Sequence, residues 1–175
     1  MKLFRASGAQ GRSADWAFLE RFEVPDYDHP ERSYLTRYRI VQTPWFAVYV
    51  HRFDGPDPRP TLHDHPWNFV SLVLRGGYVE ATGYLSSQAV TGFDGKVRTA
   101  LNGYRFLRIG HLNRKRARNT HTIVRLLRVP TWTLMLVGRR QRVWGYVEPD
   151  GTWTRFDEHP YDAEFKAAMA ARRQP

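Results

Sequence analysis

The chain reads as an all-β protein: a barrel or sandwich of short strands, with short helices only at its two ends. Aromatic and β-branched runs with a period of two recur from Tyr34 to Tyr146, the pattern of half-buried strands. Clusters of Pro, Gly, Asn and Asp punctuate them at short intervals, as in sandwiches and barrels. With 175 residues, 42% hydrophobic and 14% aromatic, the chain can bury one real core, and it has no cysteine with which to staple a smaller one.

The elements follow in order. Ser13 to Phe22 is expected to form a short helix, capped by Ser13, because Trp16, Leu19 and Phe22 recur at helical spacing. Val24 to Pro30 holds two prolines and is a connector. The period then changes to two. Tyr34–Val41 and Trp45–Phe53 are strands, and Asp54 to Pro60, with Pro56, Pro58 and Pro60, is a loop into a strand carrying His63 and His65. Phe69–Leu74 and Tyr78–Tyr84 read as paired strands turning at Arg75-Gly76-Gly77. Ser86 to Asn102, polar and glycine-punctuated, reads as an extended hairpin or an insertion. Strands follow at Tyr104–Ile109, Asn119–Arg128, Thr131–Val137 and Arg142–Val147, with turns at Val129-Pro130 and Glu148-Pro149-Asp150-Gly151. Asp162 to Arg173 is an alanine-rich helix. A single domain over 1–175 is expected, with an extension over 1–33, a barrel over about 34–156 and a helix over about 160–173.

The segment His63-Asp64-His65-Pro66-Trp67 carries the chemistry. On an extended backbone alternate side chains share a face, so His63 and His65 project together. Two imidazoles side by side are half of a metal site, and His121, in the later strand-like run Asn119–Val124, offers a third. The bland reading of the same residues is a hydrogen-bonding cluster at the barrel mouth, with Asp64 and Trp67 packed beside it. Without cysteine, any metal must take nitrogen and oxygen ligands.

This arrangement resembles the motifs of the cupin superfamily. His63 and His65 fill the positions of the His-x-His pair, Pro66 follows, Gly76 falls at the closing glycine, and His121 matches the histidine of the second motif. The motif's glutamate, at about Phe69 or Val70, is absent, and Arg118 and Arg125 stand where the second motif has Gly and Asn. More narrowly, the run from Val50-His51-Arg52-Phe53 to Trp144-Gly145-Tyr146 is similar to small cupin-like proteins of bacteria and phages. The resemblance implies a double-stranded β-helix, or jelly roll, with one divalent ion, Fe, Zn, Mn or Ni, held by His63, His65 and His121. Relatives dependent on 2-oxoglutarate carry an acid where this chain has His65, which argues against that subclass.

Other residues are placed by their strand faces. Glu80 shares a face with Tyr78 one strand from the histidine pair, so both are catalytic candidates, Glu80 either completing the metal site or holding a substrate group. A carboxylate among apolar strand residues needs a partner, whether metal, arginine or solvent. Arg125 shares a face with His121 and Ile123 and is a candidate for an anionic substrate group; an outward charge on an edge strand is the other reading. His51 shares a face with Tyr49 and Phe53, so it is expected to line the same cavity as a substrate-binding candidate; a metal ligand and a hydrogen-bonding core residue are the other readings. His29, His111 and His159 sit in turn contexts and carry no assigned chemistry.

The formal charge of +10 comes nearly all from arginine, in part from Arg108, Arg114, Lys115, Arg116 and Arg118 and from Arg139, Arg140 and Arg142. Such a surface serves nucleic acid, anionic ligands or plain solubility. No apolar run approaches the ~20 residues of a membrane span, and the N-terminus lacks the apolar core of a signal peptide, so the expected compartment is the cytoplasm. The expected function is a metal-dependent cupin enzyme, dioxygenase-like or isomerase- or hydrolase-like, acting on a small polar or anionic molecule. The alternative is a non-enzymatic module that binds nucleic acid or a protein partner through its basic surface. A homodimer is left open.

Overall fold

The computed structural model describes residues 5–6, 16–58, 61–85, 99–148 and 150–171. Its strands in chain order are β1 (Arg5–Ala6), β2 (Ala17–Pro25), β3 (Ser33–Gln42), β4 (Ala47–Phe53), β5 (Leu62–His63), β6 (Phe69–Arg75), β7 (Gly77–Leu85), β8 (Thr99–Arg108), β9 (Leu112–Lys115), β10 (Asn119–Leu126), β11 (Thr131–Val137), β12 (Gly145–Val147) and β13 (Trp153–Arg155). A helix, α1 (Pro160–Ala171), ends the described chain.

The topology is one long hairpin, rolled up. β7 pairs with β8, β6 with β9, β5 with β10 and β4 with β11, antiparallel throughout. Rolling sets β4, β11, β6 and β9 side by side in one sheet and β5, β10, β7 and β8 in the other. That order is a jelly roll, the double-stranded β-helix expected from the sequence. β3, β2 and β1 extend the first sheet, and β12 and β13 extend the second.

Alternation builds the interior. β4 buries Ala47, Tyr49, His51 and Phe53, and β11 buries Thr131, Thr133, Met135 and Val137, each skipping the residues between. Two apolar clusters fill the barrel. One holds Val24, Leu35, Phe53, Val73, Tyr78, Leu107 and Ile123, with Phe165 of α1 packed against it; the other holds Ala47, Tyr49, Phe69, Met135 and Val137. Fully burying a residue such as Val73 or Leu107 contributes about 1.5–3 kcal/mol.

Four expectations change. The segment expected to be an N-terminal helix is strand from Ala17 onward, because Glu20 and Phe22 lie opposite Arg39 and Arg37 of β3 and a sheet edge outweighs helical spacing; residues 13–15 lie outside the described set. β6 and β7 are not partners. The turn between them sends the chain into the opposite sheet, and each strand pairs with a later one. Gly76 makes that turn at φ +78°, where a Cβ would stand 2.5 Å from Thr131 Oγ1. The His-x-His strand ends at His63, leaving His65 beyond β5. β9 was not foreseen; its four residues alternate exposed and buried, a signal short enough to pass for loop. The stretch from Ser86 joins the paired ends Leu85 and Thr99, with 86–98 outside the described residues. Likewise 172–173 of the expected C-terminal helix are not described. Among the described residues no helix is long and apolar enough to cross a membrane.

Candidate metal centre

The rolled hairpin brings His63 of β5 directly opposite His121 of β10. His65 follows outside regular strand, its position fixed by backbone: Asp64 N–H donates to Gly145 O (3.0 Å) and His65 N–H to Ala117 O (3.2 Å). The Asp64 side chain is fully buried away from the histidines, where its carboxylate accepts from Gly145 N–H (2.7 Å) and from the Arg142 guanidinium. Burial pushes the Asp64 carboxyl up to about 6, against the pull of those two donors. Asp64 therefore anchors the loop that presents His65.

The three rings form a near-equilateral triangle, with centroids 5.3 Å (His63–His65), 5.1 Å (His63–His121) and 5.0 Å (His65–His121) apart. One nitrogen from each lies within 4.8 Å of the others. His65 Nε2 and His121 Nε2 are 2.8 Å apart, close enough for one ion to touch both. Burial lowers the His63 pKa to about 4, with the neighbouring His121 adding to the effect and Asp57 opposing it. Burial, then His121 and His63, holds His65 well below its ordinary value. At neutral pH both are uncharged, the form that binds metal.

Glu80 decides the tautomer of His121. Its Oε2 stands 3.0 Å from His121 Nδ1, so Nδ1–H donates to the carboxylate and Nε2 is turned toward its neighbours. Glu80 is 0% exposed and fully engaged: Lys115 Nζ lies 3.0 Å from Oε1, Arg105 donates to Oε1 (3.3 Å) and Asn113 Nδ2 to Oε2 (3.2 Å). Burial alone would raise its pKa, but the hydrogen bond and charge of His121, with Lys115, bring it down to about 2. The expectation that Glu80 completes the metal site or holds substrate gives way to this placement. It stands behind His121, is not among the residues lining the cavity, and fixes the orientation of the His121 ring.

The rings open on a cavity of about 110 Å³ between the two sheets. Tyr78 lies on its wall; burial and then the Glu80 charge push its hydroxyl up to about 12, despite the hydrogen bond from Asn113. His51 is on the wall too, packed between Tyr49 and Phe53 and held well below its ordinary pKa by burial and then by Arg37. Phe69, near where the resemblance places a glutamate, instead sets a phenyl ring 4.9 Å edge-on to His65 and 5.9 Å from His121. Arg125 is exposed and away from the wall. The register of β10 slips between Ile123 and Arg125, and one extra residue breaks the period that put Arg125 on the face of His121.

The strand pattern missed Arg37, Lys115 and Asn113. Arg37 was legible in part, since Leu35, Arg37 and Arg39 alternate and Leu35 marks the buried face. Lys115 and Asn113 were hidden in the unforeseen β9. Of the basic clusters, Arg114, Arg116, Arg118, Arg139 and Arg140 are exposed, whereas Lys115 is buried on Glu80 and Arg142 is tied to Asp64. His159, assigned nothing, is buried beside α1 with Nε2 2.6 Å from Glu148.

No family model matches the chain, and no curated protein matches it. Solved structures of similar shape include KdgF from Halomonas sp. (TM-score 0.44, 16% identity, 62% of this chain and 84% of that one). Hydroxypropylphosphonic acid epoxidase from S. wedmorenis gives a TM-score of 0.43 at 14% identity over 68% of this chain, which spans only 55% of the epoxidase. A Bacillus halodurans protein gives 0.47 at 15% identity over 83% of this chain and 89% of its own. These likenesses are distant, and the jelly roll stands on the strand pairing itself.

Proposed function

We propose that this chain is a metal-dependent enzyme that binds one divalent ion, Fe, Zn, Mn or Ni, through His63, His65 and His121 and turns over a small polar or anionic molecule in the adjoining cavity. The observation that carries this reading is the convergence of three imidazoles at a cavity wall, with a buried carboxylate fixing one of them from behind. The donor set fits such an ion, since burial keeps His63 and His65 neutral and Glu80, holding His121 at Nδ1, turns its Nε2 toward the other two rings. When bound, iron would supply oxygenase chemistry, and zinc, manganese or nickel would supply a Lewis acid.

The chain's own residues do the rest. Glu80 holds the His121 ring, and Asp64 holds the loop of His65. Phe69, Phe53, Met135 and Ile123 exclude water from the substrate space. Tyr78, with its proton firmly held, offers that space a hydrogen-bond donor. The competing reading, a module binding nucleic acid or a partner through its basic surface, would need those clusters to form one exposed face. Lys115 and Arg142 are withdrawn from it.

Elemental analysis of untagged protein purified without chelator tests the proposal. About one ion per chain is expected, falling to none in His63→Ala/His65→Ala with the barrel still folded. A folded wild-type protein that takes up no ion from any of the four metals would overturn it.

A further inference from the structure

The wall facing the histidines contains a charge with no partner. β3 sends Arg37 and Arg39 toward the interior two residues apart, and the two meet different surroundings. Arg39 is buried, with Glu20 2.5 Å from its Nη1 and the Phe22 ring 4.6 Å from its guanidinium carbon. Arg37 lies opposite His51 in the sheet register and lines the cavity. Among the described residues it makes no ion pair, and its Nε is shut off from solvent without a hydrogen-bond partner. Asp57, the one carboxylate on the described wall, is not within ion-pair distance of it. Asp57 Oδ2 accepts instead from Ile123 N–H (2.7 Å) and Thr122 Oγ1 (3.2 Å). A second donor lining the cavity is also unmet: Trp67 Nε1 is buried with no partner among the described residues, and an indole N–H can only donate.

Unmet donors in a cavity call for a ligand with acceptor atoms, because a sealed N–H without a partner loses the hydrogen bond it had in water. The guanidinium fork matches a planar oxyanion through two parallel hydrogen bonds. Away from the histidines the described wall offers one cation, Arg37, beside the already engaged carboxylate of Asp57 and the apolar Leu35, Phe53 and Met135, which suits one carboxylate better than a phosphate dianion. Its volume of about 110 Å³ suits a small ligand.

We infer that the cavity binds a small monocarboxylate, with the carboxylate on the guanidinium of Arg37 and the apolar body against the strand walls. Arg37 thus takes the anion-recognition role that the sequence pattern had given to Arg125. This inference rests on the cavity being the substrate site, but it does not require that the histidines hold a metal.

The test uses the zinc-loaded full chain, titrated with butyrate, its neutral isostere butyramide, and inorganic phosphate. The Trp67 indole N–H and Arg37 Nε–H resonances report occupancy, and zinc content is measured alongside. Butyrate is expected to bind at least about tenfold more tightly than butyramide. Arg37→Gln abolishes that preference while keeping its zinc, and Arg37→Lys retains part of it. Equal binding of the isosteric pair by wild type would overturn the inference. So would an unreduced preference in Arg37→Gln, which would mean that zinc holds the carboxylate, or phosphate binding more tightly than butyrate. A wild-type chain that takes no zinc yet still prefers butyrate refutes the metal reading and supports this one.

Discussion

Two walls of the same cavity treat buried charge in opposite ways. Behind the histidines, every oxygen of Glu80 is engaged, by His121, Lys115, Arg105 and Asn113. Elsewhere on the cavity lining and among the described residues, Arg37 has no counter-ion and Trp67 Nε1 has no acceptor. A satisfied buried network fixes shape and resists change, because removing any member strands the others. An unsatisfied donor on a cavity wall costs the fold its desolvation and remains able to take an acceptor. On the proposals above, the first set of contacts is scaffold for a metal centre, and the second belongs to a binding surface.

The largest expected effect is on metal content. His121→Ala should take bound ion from about one per chain to none, measured by elemental analysis, because the remaining pair cannot close a three-nitrogen site. Retained stoichiometric metal would remove His121 from the ligand set.

Next is Glu80→Gln, which leaves Lys115 as a buried cation without its carboxylate. Breaking a buried pair from one side costs about 3–5 kcal/mol, read from urea denaturation of metal-free protein, and losing a histidine's orienting partner lowers metal affinity about 10–100-fold. Adding Lys115→Met should recover much of the stability and little of the affinity. If Glu80→Gln proves as stable as wild type, the two walls do not differ in the way described.

The same pair has a pH signature. The Glu80 pKa falls from 4.5 in the unfolded chain to about 2 in the fold, so its stabilisation is fully present above about 4.5. It is lost as pH falls from there toward 2. The stability gap between wild type and Glu80→Gln should therefore narrow over that window. A gap that widens on acidification would reverse the assignment.

The smallest effects belong to the opposite wall. Arg37→Gln should leave denaturation stability unchanged or slightly higher, since it removes a half-buried charge that no carboxylate offsets. Trp67→Phe, which deletes an unmet N–H and keeps an aromatic ring, should fall within about 1 kcal/mol of wild type. A loss of about 3 kcal/mol or more in Arg37→Gln would mean that this arginine has a structural partner after all.

Some of this was written in the sequence alone. Period-two runs and turn residues marked most strands from Tyr34 to Tyr146, because alternation is set by the local geometry of an extended chain. The His-x-His spacing and the strand-borne His121 singled out the three imidazoles that the fold brings together. Other features depended on contacts between distant segments, which local pattern does not encode. Pairing with β3 made the N-terminal segment a strand against its helical spacing, and the rolled hairpin separated β6 from β7. A single-residue slip in β10 turned Arg125 outward, and β9, too short to announce itself, supplied the lysine that holds Glu80. Which arginine faces the cavity was decided the same way. Residue type and spacing determine which chemistry a strand can present; register, bulges and the choice of partner strand determine where it is presented.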